Sequence, residues 1–302
     1  MAKYYVPDLG GNSTIDSPLA FILDRLDTSN ALSVEDKQYL RDKGLFDLHQ
    51  FVKYLEEHGK PNFSILRTKF ERERKRVIRD NLRAKYGIDW VERGHMGKLI
   101  HLIEQIDKGG RFASADVIWL TNHDYFSLEL KREFHRREAI ACSQNFASNG
   151  DPWEAVNASS HYRKAVMPND ALTIATRVDL GRHLEKHLQS AICTTIGGAK
   201  RDLGRLEEAL TCAQDAHSKD PRSFHPCTLL GALHYELGDF SLGDEWFQKA
   251  VERGAKSEGV DSELRSIFRR ADKVKQEELR RHLLKIDPVR YGWVNRSKKS
   301  GH

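Results

Sequence analysis

Apolar and small residues recur at an interval of thirty-four between Ser190 and Ser257. Displaced by that interval, Cys193 falls on Cys227, Ile196 on Leu230, Gly197 on Gly231 and Gly204 on Gly238. Leu206 falls on Phe240, Ala209 on Gly243, Ala213 on Phe247 and Ala216 on Ala250. Each copy predicts two antiparallel helices joined at a glycine. Small side chains at Gly197, Ala209 and Ala216 let the helices approach closely. Gly204 and Gly238 permit the positive φ that ends the first helix, and Asp220-Pro221 stops the second helix of the first pair, because proline disfavours a helical residue before it.

The order of these residues resembles that of the tetratricopeptide repeat, which runs as a large residue, Leu-Gly, a turn Gly, then Ala, an aromatic, Ala and Pro. The first copy supplies Ile196-Gly197, Gly204, Ala209, Ala216 and Pro221, and the second supplies Leu230-Gly231, Gly238, Phe247 and Ala250. This pattern over residues 190–257 resembles the tetratricopeptide repeat. It departs from that family with Cys where Trp is usual, Ala255 where Pro is usual, and Lys200 and His234 at the usual Tyr position. The resemblance implies an all-α fold with a helical-repeat, TPR-like α-solenoid in the C-terminal half. It also implies a protein or peptide partner held in a concave groove lined by the first helix of each pair. Carried over by position, the inward residues are Thr194, Gly198, Arg201 and Asp202, then Thr228, Ala232, Tyr235 and Glu236. The family's basic clamp for C-terminal carboxylates is missing, since Thr194, Gly198 and Thr228 stand where Lys or Asn is needed. A receptor for chaperone tails is therefore not expected.

The flanks read as further helix pairs. Asp151-Pro152-Trp153-Glu154 predicts a helix start, with Asp as N-cap, Pro at the first helical position and Glu closing a capping box. Downstream, Leu264, Ile267, Phe268 and Ala271 share one helical face, and Leu279, Leu283 and Leu284 share the next, ending at Asp287-Pro288. Its outward side is dense with Arg and Lys, as suits a pair that caps a repeat array.

The N-terminal half predicts a helical module duplicated at an interval of eighty. Leu23 matches Ile103, Leu32 matches Phe112, Asp36 matches Asp116 and Leu40 matches Leu120. The alternative is two unrelated amphipathic hairpins, because spacings of three and four recur in any helix pair. Ser33 and Asp36 predict a capped helix start. Between the copies, Ser64–Gly87 reads as one long helix with Leu66, Phe70, Val77 and Ile78 buried. Its exposed side then carries Arg72, Arg76, Arg79 and Arg83. The expected domains are residues 1–149, 150–189, 190–257 and 258–302.

Composition narrows the class. Of 302 residues, 39% are hydrophobic and 31% charged, which suits a folded chain rather than a disordered one. The start has no basic segment followed by an apolar one, and no run approaches the roughly 18 apolar residues of a membrane span. Cys142, Cys193, Cys212 and Cys227 form no Cys-x-x-Cys pair. They are expected to be reduced, in a cytoplasmic protein with no membrane contact. The net charge is +5, while residues 67–85 alone carry nine basic against three acidic residues. Such clustering can hold phosphates, or it is a solvated helix face.

Candidate chemistry is sparse. Arg182 with His187, and Arg177 with His183, fit the Arg-x(4–6)-His spacing of helical ribonucleases of the HEPN type, but the spacing is common in a chain with 14 His and 49 Lys plus Arg. Cys212, His217, His225 and Cys227 lack a closed four-ligand spacing for zinc. Neither Gly109-Gly110 nor Gly197-Gly198 opens a phosphate loop. No catalytic residue and no cofactor or metal is expected. The expectation is a non-catalytic adaptor or regulatory scaffold for a protein or peptide. The alternative is a nucleic-acid-binding protein, through the basic helix, or a HEPN-like ribonuclease.

Overall fold

The computed structural model describes residues 22, 25, 32–42, 75–181 and 184–295. Among these residues every regular element is helical. The helices are α1 (Val34–Asp42), α2 (Met96–Asp107), α3 (Ser114–Asn122), α4 (Leu128–Asn149), α5 (Pro152–Lys164) and α6 (Pro168–Ala175). They continue as α7 (Lys186–Asp202), α8 (Leu206–Lys219), α9 (Phe224–Leu237), α10 (Phe240–Glu252), α11 (Ser257–Arg270) and α12 (Lys273–Ile286), followed by a 3₁₀ turn at Gly292–Asn295. Residues 75–85 are also helical. Among the described residues no helix is long and apolar enough to cross a membrane. The chain divides into two compact units. One takes the described residues up to Asp107 with Asp116–Glu129, and the other takes Lys108–Ala115 with the described residues from Leu130 onward.

The second unit is a helical repeat. Helices α8 and α10 begin thirty-four residues apart, at Leu206 and Phe240, and α12 follows at Lys273. Each first helix packs on its own second helix, and α5, α7, α9 and α11 also pack successively on one another. The turn glycines behave as their positions demand, with φ of +76° at Gly204 and +95° at Gly238. Helix α8 ends at Lys219, before Asp220-Pro221, and α12 ends at Ile286, before Asp287-Pro288.

The small residues mark the close approaches. A Cβ on Gly197 would meet Leu229 at 3.0 Å and the Ala209 carbonyl at 3.2 Å. One on Gly231 would meet the Phe247 ring at 2.7 Å, and one on Gly243 would collide with the Tyr235 ring. Ala209, Ala213, Ala216 and Ala250 are fully buried. The last hairpin is closed by the chain beyond it: Tyr291 and Val294 join Leu264, Ile267, Leu279 and Leu283 in one apolar cluster. Trp293 stands edge-on to Phe268 at 5.5 Å.

Helix α5 starts as expected at Asp151, whose side chain accepts from the Trp153 N–H, with Pro152 in the first turn. Its capping box does not close. The Glu154 carboxylate turns to the Asn145 amide at 3.3 Å, and the Asp151 N–H donates to Asn149 Oδ1 at 2.9 Å. A neighbouring helix and a local side chain each supply what the box would have supplied.

In the first unit the capping pair is reciprocal. The Asp36 N–H donates to Ser33 Oγ at 3.1 Å, and the Ser33 N–H donates to Asp36 Oδ2 at 2.9 Å. Arg25 also pairs with Asp36. Helices α1 and α3 coincide at both ends when displaced by eighty residues, and Leu32 and Phe112, which precede them, are both buried.

The basic segment is rotated from its expected phase. Ile78 is exposed rather than buried, while Val77, Arg79, Leu82 and Arg83 are half-buried and Tyr86 is fully buried. The helix end sets this face. Gly87 takes φ of +62°, the Ile88 N–H donates back to the Arg83 carbonyl at 2.9 Å, and the Tyr86 hydroxyl donates to Asp107 at 3.0 Å. With Tyr86 anchored inside, residues three, four and seven positions earlier turn inward with it. The expected burial of Leu66 and Phe70 lies outside the described residues.

Candidate functional site

Helices α5 and α7 and the start of α9 enclose a pocket of about 300 Å³ on the side formed by the first helices of successive hairpins. Helix α5 supplies Trp153, Val156, Asn157, Ser160 and Arg163. Helix α7 supplies His187, Ala191, Thr194 and Thr195, and the next hairpin adds Ser223 and His225. Trp153 stays 39% exposed, with its ring centroid 5.7 Å from that of His187. His187 Nδ1 lies 2.7 Å from Asp220 Oδ2. That bond holds the Asp220 carboxyl below its usual range, against a smaller upward push from burial. Partial burial of its ring, then the nearby His187, pushes His225 down.

The floor of the pocket accepts hydrogen bonds. Thr194 and Thr195 spend their hydroxyl protons on the Ser190 and Ala191 carbonyls, each at 2.8 Å, which leaves oxygen lone pairs for a ligand N–H. Asn157 offers both donor and acceptor. No carboxylate lines the pocket. Exposed ring, amide and hydroxyl acceptors suit an extended peptide, whose backbone alternates N–H and C=O.

Along the same side runs a ladder of charge pairs. The Arg163 guanidinium crosses buried Gly198 and donates to Asp202, from Nε at 2.6 Å and Nη2 at 3.3 Å. A side chain on Gly198 would occupy the same space. Arg201 is only 7% exposed and grips Glu236 through two bonds, at 2.9 and 2.8 Å, with a third to Glu263 at 2.6 Å. Arg270 adds a bond to Glu236 at 2.7 Å. Burial alone would lower the Arg201 pKa, but the two carboxylates more than reverse it. Burial likewise pushes Glu236 up, and its arginines pull it below the usual range.

The residues singled out for a groove therefore divide. Thr194 lines the pocket. Arg201, Asp202 and Glu236 belong to the ladder that joins the hairpins. Gly198 is a buried notch under Arg163. Thr228 is half-buried and donates to the Phe224 carbonyl at 3.0 Å. Tyr235 does not face a groove: it is 1% exposed, its ring fills the space left by Gly243 and its hydroxyl donates to Asp244. Ala232 is buried in the same core. Trp153, Asn157, Ser160 and His187 had a usable signal. Continuing the thirty-four-residue interval upstream from α7 places Ser160 over Thr194 and Trp153 over His187.

Of the basic surface, Arg72 lies outside the described residues. Arg76 is exposed, whereas Arg79 donates to the Lys75 carbonyl at 3.0 Å and Arg83 donates to the Asp89 carbonyl and pairs with Asp80. Arg182 and His183 also lie outside the described residues, and His187 is held by Asp220. All four cysteines are free thiols. Burial, with help from Asp215, pushes Cys193 up to about 12, and burial with Glu154 pushes Cys142 up to about 11. Among the described residues no three His, Cys, Asp or Glu side chains are grouped to hold a metal ion.

Comparison with protein-family models and with curated proteins finds no match for this chain.

Proposed function

We propose that this chain is a non-catalytic, cytoplasmic adaptor or scaffold that binds an extended protein or peptide segment across the first helices of its tetratricopeptide-like hairpins. The supporting observation is the pocket built by α5, α7 and α9 together, with Trp153 exposed at its wall and the acceptors Thr194 and Thr195 at its floor. Three successive hairpins contribute to one site, which favours an extended ligand. The nucleic-acid alternative draws less support, because Arg79 and Arg83 are engaged with the protein's own carbonyls.

The test is selection of peptides from a random display library on the full chain, followed by affinity measurement. Trp153→Ala is expected to weaken the selected peptides by about tenfold, the effect of losing one aromatic anchor, with the helical circular dichroism unchanged. Failure to select any peptide, or selected peptides indifferent to Trp153→Ala, would remove this function from the pocket.

A further inference from the structure

His135 on α4 and His161 on α5 meet through their Nδ1 atoms at 3.0 Å, with ring centroids 5.1 Å apart. Both are half-buried, and Phe134 packs beside them, 5.0 Å from the His135 ring and edge-on to His161 at 6.4 Å. Two imidazole nitrogens at this distance can hold one proton between them: one Nδ1–H donates and the other Nδ1 accepts through its lone pair. If both rings carried a full complement of protons, two N–H groups would face each other and the bond could not form.

The surroundings favour the uncharged pair. Glu138 on α4, Lys164 on α5 and Arg111 from the segment before α3 face the imidazoles. Both oxygens of Glu138 are bound by Arg111, at 2.8 and 2.5 Å, so its charge is largely spent there. Lys164 opposes a charge on either ring. Burial, then His161 and Lys164, push His135 down to about 4 against a weaker pull from Glu138. Burial and Lys164 push His161 down as well.

We propose that His135 and His161 form a one-proton clasp between α4 and α5, closed at neutral pH and progressively weakened as the solution is acidified, so that acid favours release of α5 from α4. Elsewhere the two helices meet through Asn145 with Glu154 and Ser143 with Tyr162, and Cys142 and Phe146 pack against the apolar cluster that holds Ala155 and Ala158. Helix α5 also carries Trp153, Asn157, Ser160 and Arg163. The clasp stands whatever that pocket binds.

The sign follows from proton binding. The unfolded chain protonates both histidines near their ordinary value of about 6.5, while the folded pair resists down to lower pH. The clasp's contribution is therefore complete above about pH 6.5 and is lost progressively below it.

The test compares thermal midpoints of the full chain from about pH 7.5 to about pH 5 with those of His135→Gln and His161→Gln, whose amides can still bond the remaining ring. The wild-type midpoint is expected to fall at least about twice as steeply as that of either variant. Carbon-13 NMR of the wild-type histidines keeps the idea testable should both variants fail to fold: both rings should take up their second proton at lower pH than an ordinary histidine, whose value is about 6.5. Equal slopes in all three proteins would overturn the clasp. So would either ring titrating near its ordinary value, or a zinc-induced, chelator-reversible rise in the midpoint at neutral pH that shows the pair holding a metal.

Discussion

Arg201→Ala is expected to destabilise the second unit by about 3–5 kcal/mol, the usual cost of removing one partner from a buried charge pair. Arg201 is the centre of a network that ties α7 to α9 through Glu236 and to α11 through Glu263. Alanine would leave Glu236 with Arg270 alone and Glu263 without its close partner, both in a partly desolvated place. The loss should also depend on pH. In the wild type Glu236 is held ionised below its ordinary range, so its contribution is present above about pH 4.5 and fades as pH falls through its lower folded value. In the variant the stranded carboxylates favour protonation. The stability gap should therefore be widest near neutrality and narrow below about pH 4.5. Urea denaturation of both proteins at the two pH values measures this. A gap under about 1 kcal/mol at neutral pH, the worth of an exposed ion pair, would mean that Arg201 merely decorates the surface between hairpins.

The second large effect is a difference in sign between two chemically identical changes. Gly231→Ala should destabilise by about 1–3 kcal/mol, because the new Cβ would lie 2.7 Å from the Phe247 ring in a closed core. That cost outweighs the helix preference for alanine, worth up to about 1 kcal/mol. Gly259→Ala on α11 meets nothing within 4 Å and should stabilise by about 0.5 kcal/mol through the same preference. Thermal melts of the two single variants give both signs in one experiment. If Gly231→Ala were also stabilising, α9 and α10 would not be packed as closely as the repeat register requires.

The features legible in the sequence are those fixed by local geometry. The positive φ at Gly204 and Gly238, the stops at Asp220-Pro221 and Asp287-Pro288, and the reciprocal Ser33–Asp36 cap each depend on a few adjacent residues. The close approaches at Gly197 and Gly231 were legible because two copies of one packing problem put the same small residue at the same step. What was not legible depends on rotation or on distance along the chain. Val77 and Ile78 mark one face of the basic segment by pattern, but the anchoring of Tyr86 leaves Ile78 exposed and turns Arg79 and Arg83 inward beside the half-buried Val77. Tyr235 looks like a groove residue by position, yet the missing side chain at Gly243 draws its ring inside. The bond from Arg201 to Glu263 spans 62 residues, and the His135–His161 pair joins two helices whose apolar patterns say nothing about either histidine. Half of the pocket was within reach, since Ser160 and Trp153 fall one repeat interval before Thr194 and His187.

The most direct measurement is the footprint of a selected peptide. A peptide chosen by display on the full chain, carrying a photoreactive residue, would be cross-linked and the adducts located by mass spectrometry. Adducts are expected on Trp153, Asn157, Thr195 and their neighbours on α5, α7 and the start of α9. Adducts concentrated instead on the second helices α8 and α10, or within residues 75–107, would contradict the proposed site.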